Sequence, residues 1–149
     1  MRIRIAASLA LIAMALGACG EDSKKLPKAE FVKEANAVCT KYKKKIRAIA
    51  RPTETGAGPE ALTALGEYFD KVLPVTEDLH DELGNLEPED EDLKKKWNTY
   101  LDEQQSGIDQ VREVSEKAKD GDREAVEAGL RDSDGPDAQP IFGQKECGD

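Results

Sequence analysis

"LKKKWNTYLDEQQSGIDQVREVSEKAK", residues 93–119, decides the fold. Leu93, Trp97, Tyr100/Leu101, Gln104, Ile108, Val111, Val114 and Ala118 recur at steps of three and four. That is the period of one helix face, with Lys, Glu, Asp and Gln filling the others. The preceding "LEPEDED" (86–92) sets Pro88 and then four acids, Glu89 to Asp92, at what should be the positive end of the helix dipole. Together they predict a helix of roughly 30 residues, the longest in the chain. "KDGD" (119–122) ends it and caps the next. Gln104 is the polar exception on this stripe, placed either to hydrogen-bond inside a bundle or to line a small pocket.

The flanking segments have the same period. Phe31, Ala35, Val38/Cys39, Tyr42, Ile46 and Ile49 give a first helix of about 22 residues. Pro27 is tolerated at its first turn, and Arg51-Pro52 ends it. After the loop "TETGAGP" (53–59), Leu62, Leu65, Phe69, Val72, Thr76, Leu79 and Leu83 form a second seam. Pro74 should kink that helix rather than break it, and Gly84-Asn85 should stop it. A fourth segment is weak: Ala125, Val126, Gly129 and Leu130 make one short apolar face before "DSDGPDAQP" (132–140) interrupts it. No strand pattern of any length competes. The expectation is an all-α antiparallel bundle of about four helices, the last short or broken.

The start of the chain is different. Arg2 and Arg4 precede an uncharged run, Ile5 to Leu16, that is too short for a membrane span of about 20 residues. Basic, apolar and then small residues have the layout of an export signal. The string Leu16-Gly17-Ala18-Cys19 resembles the lipobox of bacterial lipoprotein precursors. The resemblance implies cleavage before Cys19 and diacylglycerol on its thiol, with palmitate-class chains. Two acyl chains anchor a protein stably where one does not. The chain then divides into a signal peptide (1–18), a lipidated Cys19 with a flexible polar tether (19–26) and a helical domain (27–149). Its place would be the outer face of the bacterial cell membrane.

Export bears on the remaining cysteines. In an oxidising compartment an even pair is ordinarily a disulfide, so Cys39 and Cys147 are expected to pair. The mature region also resembles a group of small exported helical proteins of high-GC Gram-positive bacteria. The likeness lies in Phe31-x-x-x-Ala35-Asn36-x-x-Cys39, the Leu-Glu-Pro turn, the Gly-Asp turn and Phe142-Gly143-x-x-x-Cys147-Gly148. It implies the helical fold and the disulfide and assigns no activity. "DSDGPD" departs from it, where a continuous final helix would be expected.

Charge narrows the partners. The whole chain is at −9, and without residues 1–18 it holds 20 basic against 31 acidic residues. Nucleic acid is disfavoured, because phosphate binding needs clustered positive charge. The sign is uneven: Lys24 to Arg51 is net +8, whereas residues 52–149 are net −17. Lys28, Lys33, Lys41, Lys43, Lys44, Lys45 and Arg47 should chiefly offset the acidic helices and the negative end of their own helix. The other destination for that charge is anionic headgroups.

No catalytic constellation emerges. His80, the single histidine, sits among Glu77, Asp78, Asp81 and Glu82 and is expected on the wet face of its helix. One histidine and no free thiol leave zinc or copper without ligands. "DGD" (120–122) and "DSDGPD" (132–137) cluster oxygens around glycine but lack the ligand order of a calcium loop. Phe31, Tyr42, Phe69, Trp97 and Tyr100 fall on inward stripes and are expected in the core. The reading is a non-enzymatic binding or interaction module without cofactor or metal, attached to the bilayer through acylated Cys19, with anionic headgroups or an envelope protein as further partners. The alternative is a solute- or metal-ion-binding or sensing lipoprotein with a pocket between its helices.

Overall fold

The computed structural model describes residues 24–53 and 58–131. It is an all-α helical bundle with one small addition. The elements are β1 (Lys24–Leu26), α1 (Lys28–Arg47), α2 (Pro59–Gly84), β2 (Leu86–Pro88), α3 (Glu91–Lys119) and α4 (Arg123–Arg131). Expectations that concern residues 1–18, Cys19, the stretch 132–140 and Cys147 lie outside the described residues.

α2 and α3 form an antiparallel hairpin. Glu77 meets Arg112, and Asp70 meets Lys119, so one chain position rises as the other falls. α1 covers one end of this hairpin and α4 the other. At the first end, Phe31, Ala35, Val38, Cys39 and Tyr42 of α1 pack with Leu83, Leu93, Trp97 and Tyr100. At the second end, Val126 of α4 joins Leu62, Val114 and Ala118, with Leu65 and Phe69 against them. The aromatic expectation holds for Phe31, Tyr42, Trp97 and Tyr100, which are buried, while Phe69 is half-buried.

The addition is a two-stranded parallel sheet, Lys24 to Leu26 against Leu86 to Pro88. It corrects the expectation of no strand, and its cause is local. Leu26 precedes Pro27 and Glu87 precedes Pro88, and a residue before proline is pushed into extended backbone. Two short extended pieces end up side by side, and the Glu89 N–H donates to the Leu26 carbonyl at 2.9 Å. Leu26 is 1% exposed and belongs to the first core cluster. Lys24–Leu26, the end of the expected tether, are thus a strand of the fold. The same pairing moves the start of α3. Pro88, expected in its first turn, lies in β2, and Asp90 is the N-cap, its Oδ1 accepting from Leu93 N–H at 2.7 Å.

Other differences are small. α1 ends at Arg47, short of Ile49. α2 runs unbroken through Pro74, but its seam turns to bury Gly66 and Leu73 and leaves Val72 half-buried. Leu130, placed on the apolar face of α4, is 46% exposed.

Leu26 therefore contributes to the core, not only to the connection. Leu26→Ala is expected to lower unfolding stability by about 2–5 kcal/mol, the usual range for a buried Leu truncation. Urea unfolding followed by Trp97 fluorescence measures it, and a loss below about 0.5 kcal/mol, the range of surface changes, would place residue 26 outside the core.

Candidate functional site

Cys39 lies mid-way along α1 on its buried face, 4% exposed and packed with Phe31, Ala35, Val38 and Tyr42. Its expected partner Cys147, and the lipidation candidate Cys19, are outside the described residues.

The polar side chains at the helix seams mostly face one another. Tyr42 Oη donates to Glu82 Oε2 at 2.8 Å, and Lys41 Nζ reaches the same oxygen at 2.6 Å. The Lys45 ammonium sits 4.1 Å from the centre of the Tyr42 ring, a cation–π contact. Two donors to one carboxylate favour its charged form. Glu82 is accordingly held below the usual glutamate range, by the Lys41 hydrogen bond first and Tyr42 second. The same bonds raise Lys41 and Tyr42. Tyr100 has a different cause: burial alone pushes its phenol up to about 12.

In the middle of the hairpin His80 Nδ1 lies 3.2 Å from Gln104 Oε1, so Nδ1 carries the hydrogen in this pair. His80 thus turns half-buried toward α3, not onto the wet face expected of it. The reason is Gln104, 8% exposed on an otherwise apolar stripe, whose amide needs a partner there. The pair was hard to read in advance because Gln104 and His80 are far apart in sequence. Eleven residues further along α3, Ser115 Oγ donates to Asp70 at 3.0 Å and lies 3.2 Å from the Gly66 carbonyl. Lys119 closes on Asp70 at 3.0 Å, and this bond, then that of Ser115, holds Asp70 below its usual range. A side chain at Gly66 would meet the Ser115 carbonyl at 3.2 Å, so glycine sets the approach of α2 to α3.

The calcium candidate at 120–122 is a pair of helix ends. Gly121 takes φ +75°, its N–H bonding to Ala118, while Asp122 N–H bonds to Lys117. This closes α3 in a Schellman motif. Asp122 Oδ1 then accepts from Ala125 N–H at 3.1 Å and caps α4. Among the described residues no group of three or more His, Cys, Asp or Glu side chains is placed to hold a metal. None of their helices is long and apolar enough to cross a membrane.

No protein-family model, curated protein or solved structure matches the chain. Function must be argued from its own residues.

The basic residues of α1 supply the main surface feature. They were expected chiefly to offset the acidic helices. Among the described residues that holds for Lys41, through Glu82, while Lys44, Lys45 and Arg47 lie in the last turn of α1, at the negative end of their own helix as also expected. Lys28, Lys33, Lys43, Lys44 and Arg47 make no ion pair among the described residues. The acids of α2 that point to a neighbour are engaged mostly by α3: Arg112 takes Glu77 at 2.6 Å and Lys119 takes Asp70.

The Glu82 contact makes a pH prediction. Its folded-state pKa is depressed, so the unfolded chain binds the proton first as pH falls. The contribution is complete above the unfolded value, about 4.3, and is lost as pH drops through the lower folded value. Glu82→Gln is expected to lower stability at neutral pH and to flatten the acid limb, while Asp70 and Glu127 keep the rest of the slope. Urea midpoints between neutral and acid pH check it; parallel curves for the two proteins would contradict it.

Proposed function

We propose that the chain is a lipoprotein held on the outer face of a bacterial cell membrane by acylated Cys19, with a helical domain that serves as a non-enzymatic interaction module. The observation that carries this reading is Leu16-Gly17-Ala18-Cys19 at the end of a basic and then apolar leader. The layout of the folded part supports it. β1 begins at Lys24, five residues after Cys19, so the folded domain lies close in sequence to the proposed anchor. The non-catalytic half of the reading is supported by the seams themselves. Tyr42, His80 and Ser115 are engaged with Glu82, Gln104 and Asp70, bonds that join helices rather than leave groups poised for a substrate.

Export carries a second element, a Cys39–Cys147 disulfide. Cys39 is buried on α1, and the bond would close a loop of just over 100 residues. In the chain-entropy model a loop of this size contributes about 4.7 kcal/mol. The bond would also fasten a tail whose apolar content is little beyond Ile141 and Phe142.

Intact mass of the protein recovered from membranes tests both. The expected species lacks residues 1–18 and carries the diacylglycerol increment. It takes up no alkylating agent at Cys39 or Cys147 without reductant. Cys19→Ala is expected to leave an uncut or released chain. An Ala variant that still fractionates with membranes at the mature mass would overturn the anchor, and two alkylated thiols would overturn the disulfide.

A further inference from the structure

α1 presents a second stripe opposite its core face. Lys33, Ala37, Thr40, Lys44 and Arg47 follow steps of four, three, four and three, and all five are exposed. The buried stripe of Phe31, Ala35, Val38 and Tyr42 lies on the other side of the same helix. The small residues between the basic ones leave nothing to hold a flat surface away. Lys43 flanks the stripe, and Lys33, Lys44 and Arg47 form no ion pair among the described residues. Of the acids of α1, Glu30 lies three positions before Lys33 and opens the stripe at its N-terminal end, and Glu34 lies at its edge, so the unopposed basic charge of this face is concentrated at Lys44 and Arg47.

We infer that this face of α1 lies on anionic phospholipid headgroups. The inference rests on the anchored reading above, and two features of the fold support it. First, charge complementarity has one orientation. Residues 52–149 are net −17, so an anionic surface repels the rest of the bundle and attracts α1 alone. Second, the connection is short. The Leu26 carbonyl is pinned by Glu89, which leaves five residues from Cys19 to Lys24, a reach of at most about 18 Å. α1 is about 30 Å long. Upright, it would carry Lys44 and Arg47 well beyond the Debye length of about 8 Å at physiological salt. Flat, it brings the whole stripe to the surface.

The test uses the mature chain as cells deliver it, mixed with vesicles of phosphatidylcholine alone or with added phosphatidylglycerol. A water-soluble amine reagent then labels the lysines, which are read by peptide mass. At about 10 mM salt, Lys33, Lys43 and Lys44 are expected to be labelled several-fold more slowly on the anionic vesicles than on the neutral ones, with recovery at about 1 M. Lys71 and Lys96, exposed on α2 and α3, should not change. The variant Lys33→Gln, Lys44→Gln, Arg47→Gln should keep its circular dichroism and lose the protection at Lys43. At roughly five-fold per basic residue, its electrostatic partitioning should fall by roughly 100-fold.

Retention on the neutral vesicles reports the acyl anchor separately. A chain that leaves neutral vesicles but is protected on anionic ones keeps the α1 assignment while the anchor fails. Equal labelling on the two vesicle types overturns the α1 assignment, whatever the anchor does. So does protection by soluble polyphosphate without protection by vesicles, which would point to an anionic polymer instead.

Discussion

Trp97 donates its indole N–H to the Leu86 carbonyl at 3.0 Å, and the first end of the bundle is assembled around that bond. The ring meets Phe31 edge-on, with centroids 4.9 Å apart and planes at 87°, and lies near-parallel to Tyr100 on its own helix. A large aromatic with one polar atom must find an acceptor when it is buried. The acceptor here is backbone of β2, so Trp97 fixes the α2–α3 connection against α3 and gives α1 a surface to pack on. β1 then pairs with the fixed strand, and Leu26 enters the same cluster. Position and direction of α1 follow from that end, while α4 is held separately by Val126 at the other.

Most of this was legible from periodicity, because helices with one apolar stripe must bury it together. The four helices, the inward aromatics and the buried Gln104 came from spacing alone. The strands did not. Three residues are too few for an alternating pattern, and each strand depends on a pairing partner some sixty positions away. The proline that follows Leu26 is the available signal, and it suits the start of a helix equally well. His80 failed for a similar reason: its acidic neighbours in sequence suggested water, whereas its neighbour in space is Gln104. The rotation of the α2 seam toward Leu73 came from Gly66, whose missing side chain lets α3 approach on that side.

The charge asymmetry along the chain becomes an asymmetry in space. Helices α2 and α3 satisfy several of their acids through Arg112 and Lys119, and α1 supplies counter-charge to Glu82 through Lys41. Its outer stripe is left facing solvent beside the short connection to Cys19. An ordered β1 ties these facts together: a floppy linker would let the domain tumble above a membrane, whereas a pinned one limits which face can come down. Fold and proposed attachment thus meet at the Leu26–Glu89 bond.

Hydrogen exchange at the Glu89 amide tests that point most directly. Glu89 is exposed and sits in a connection between helices, so nothing but its bond to Leu26 should protect it. The account predicts slow exchange, close to that of the core amides of α3. Exchange at the rate of unstructured peptide would show that β1 is not held against β2, and that the chain between Cys19 and α1 imposes no orientation on the domain.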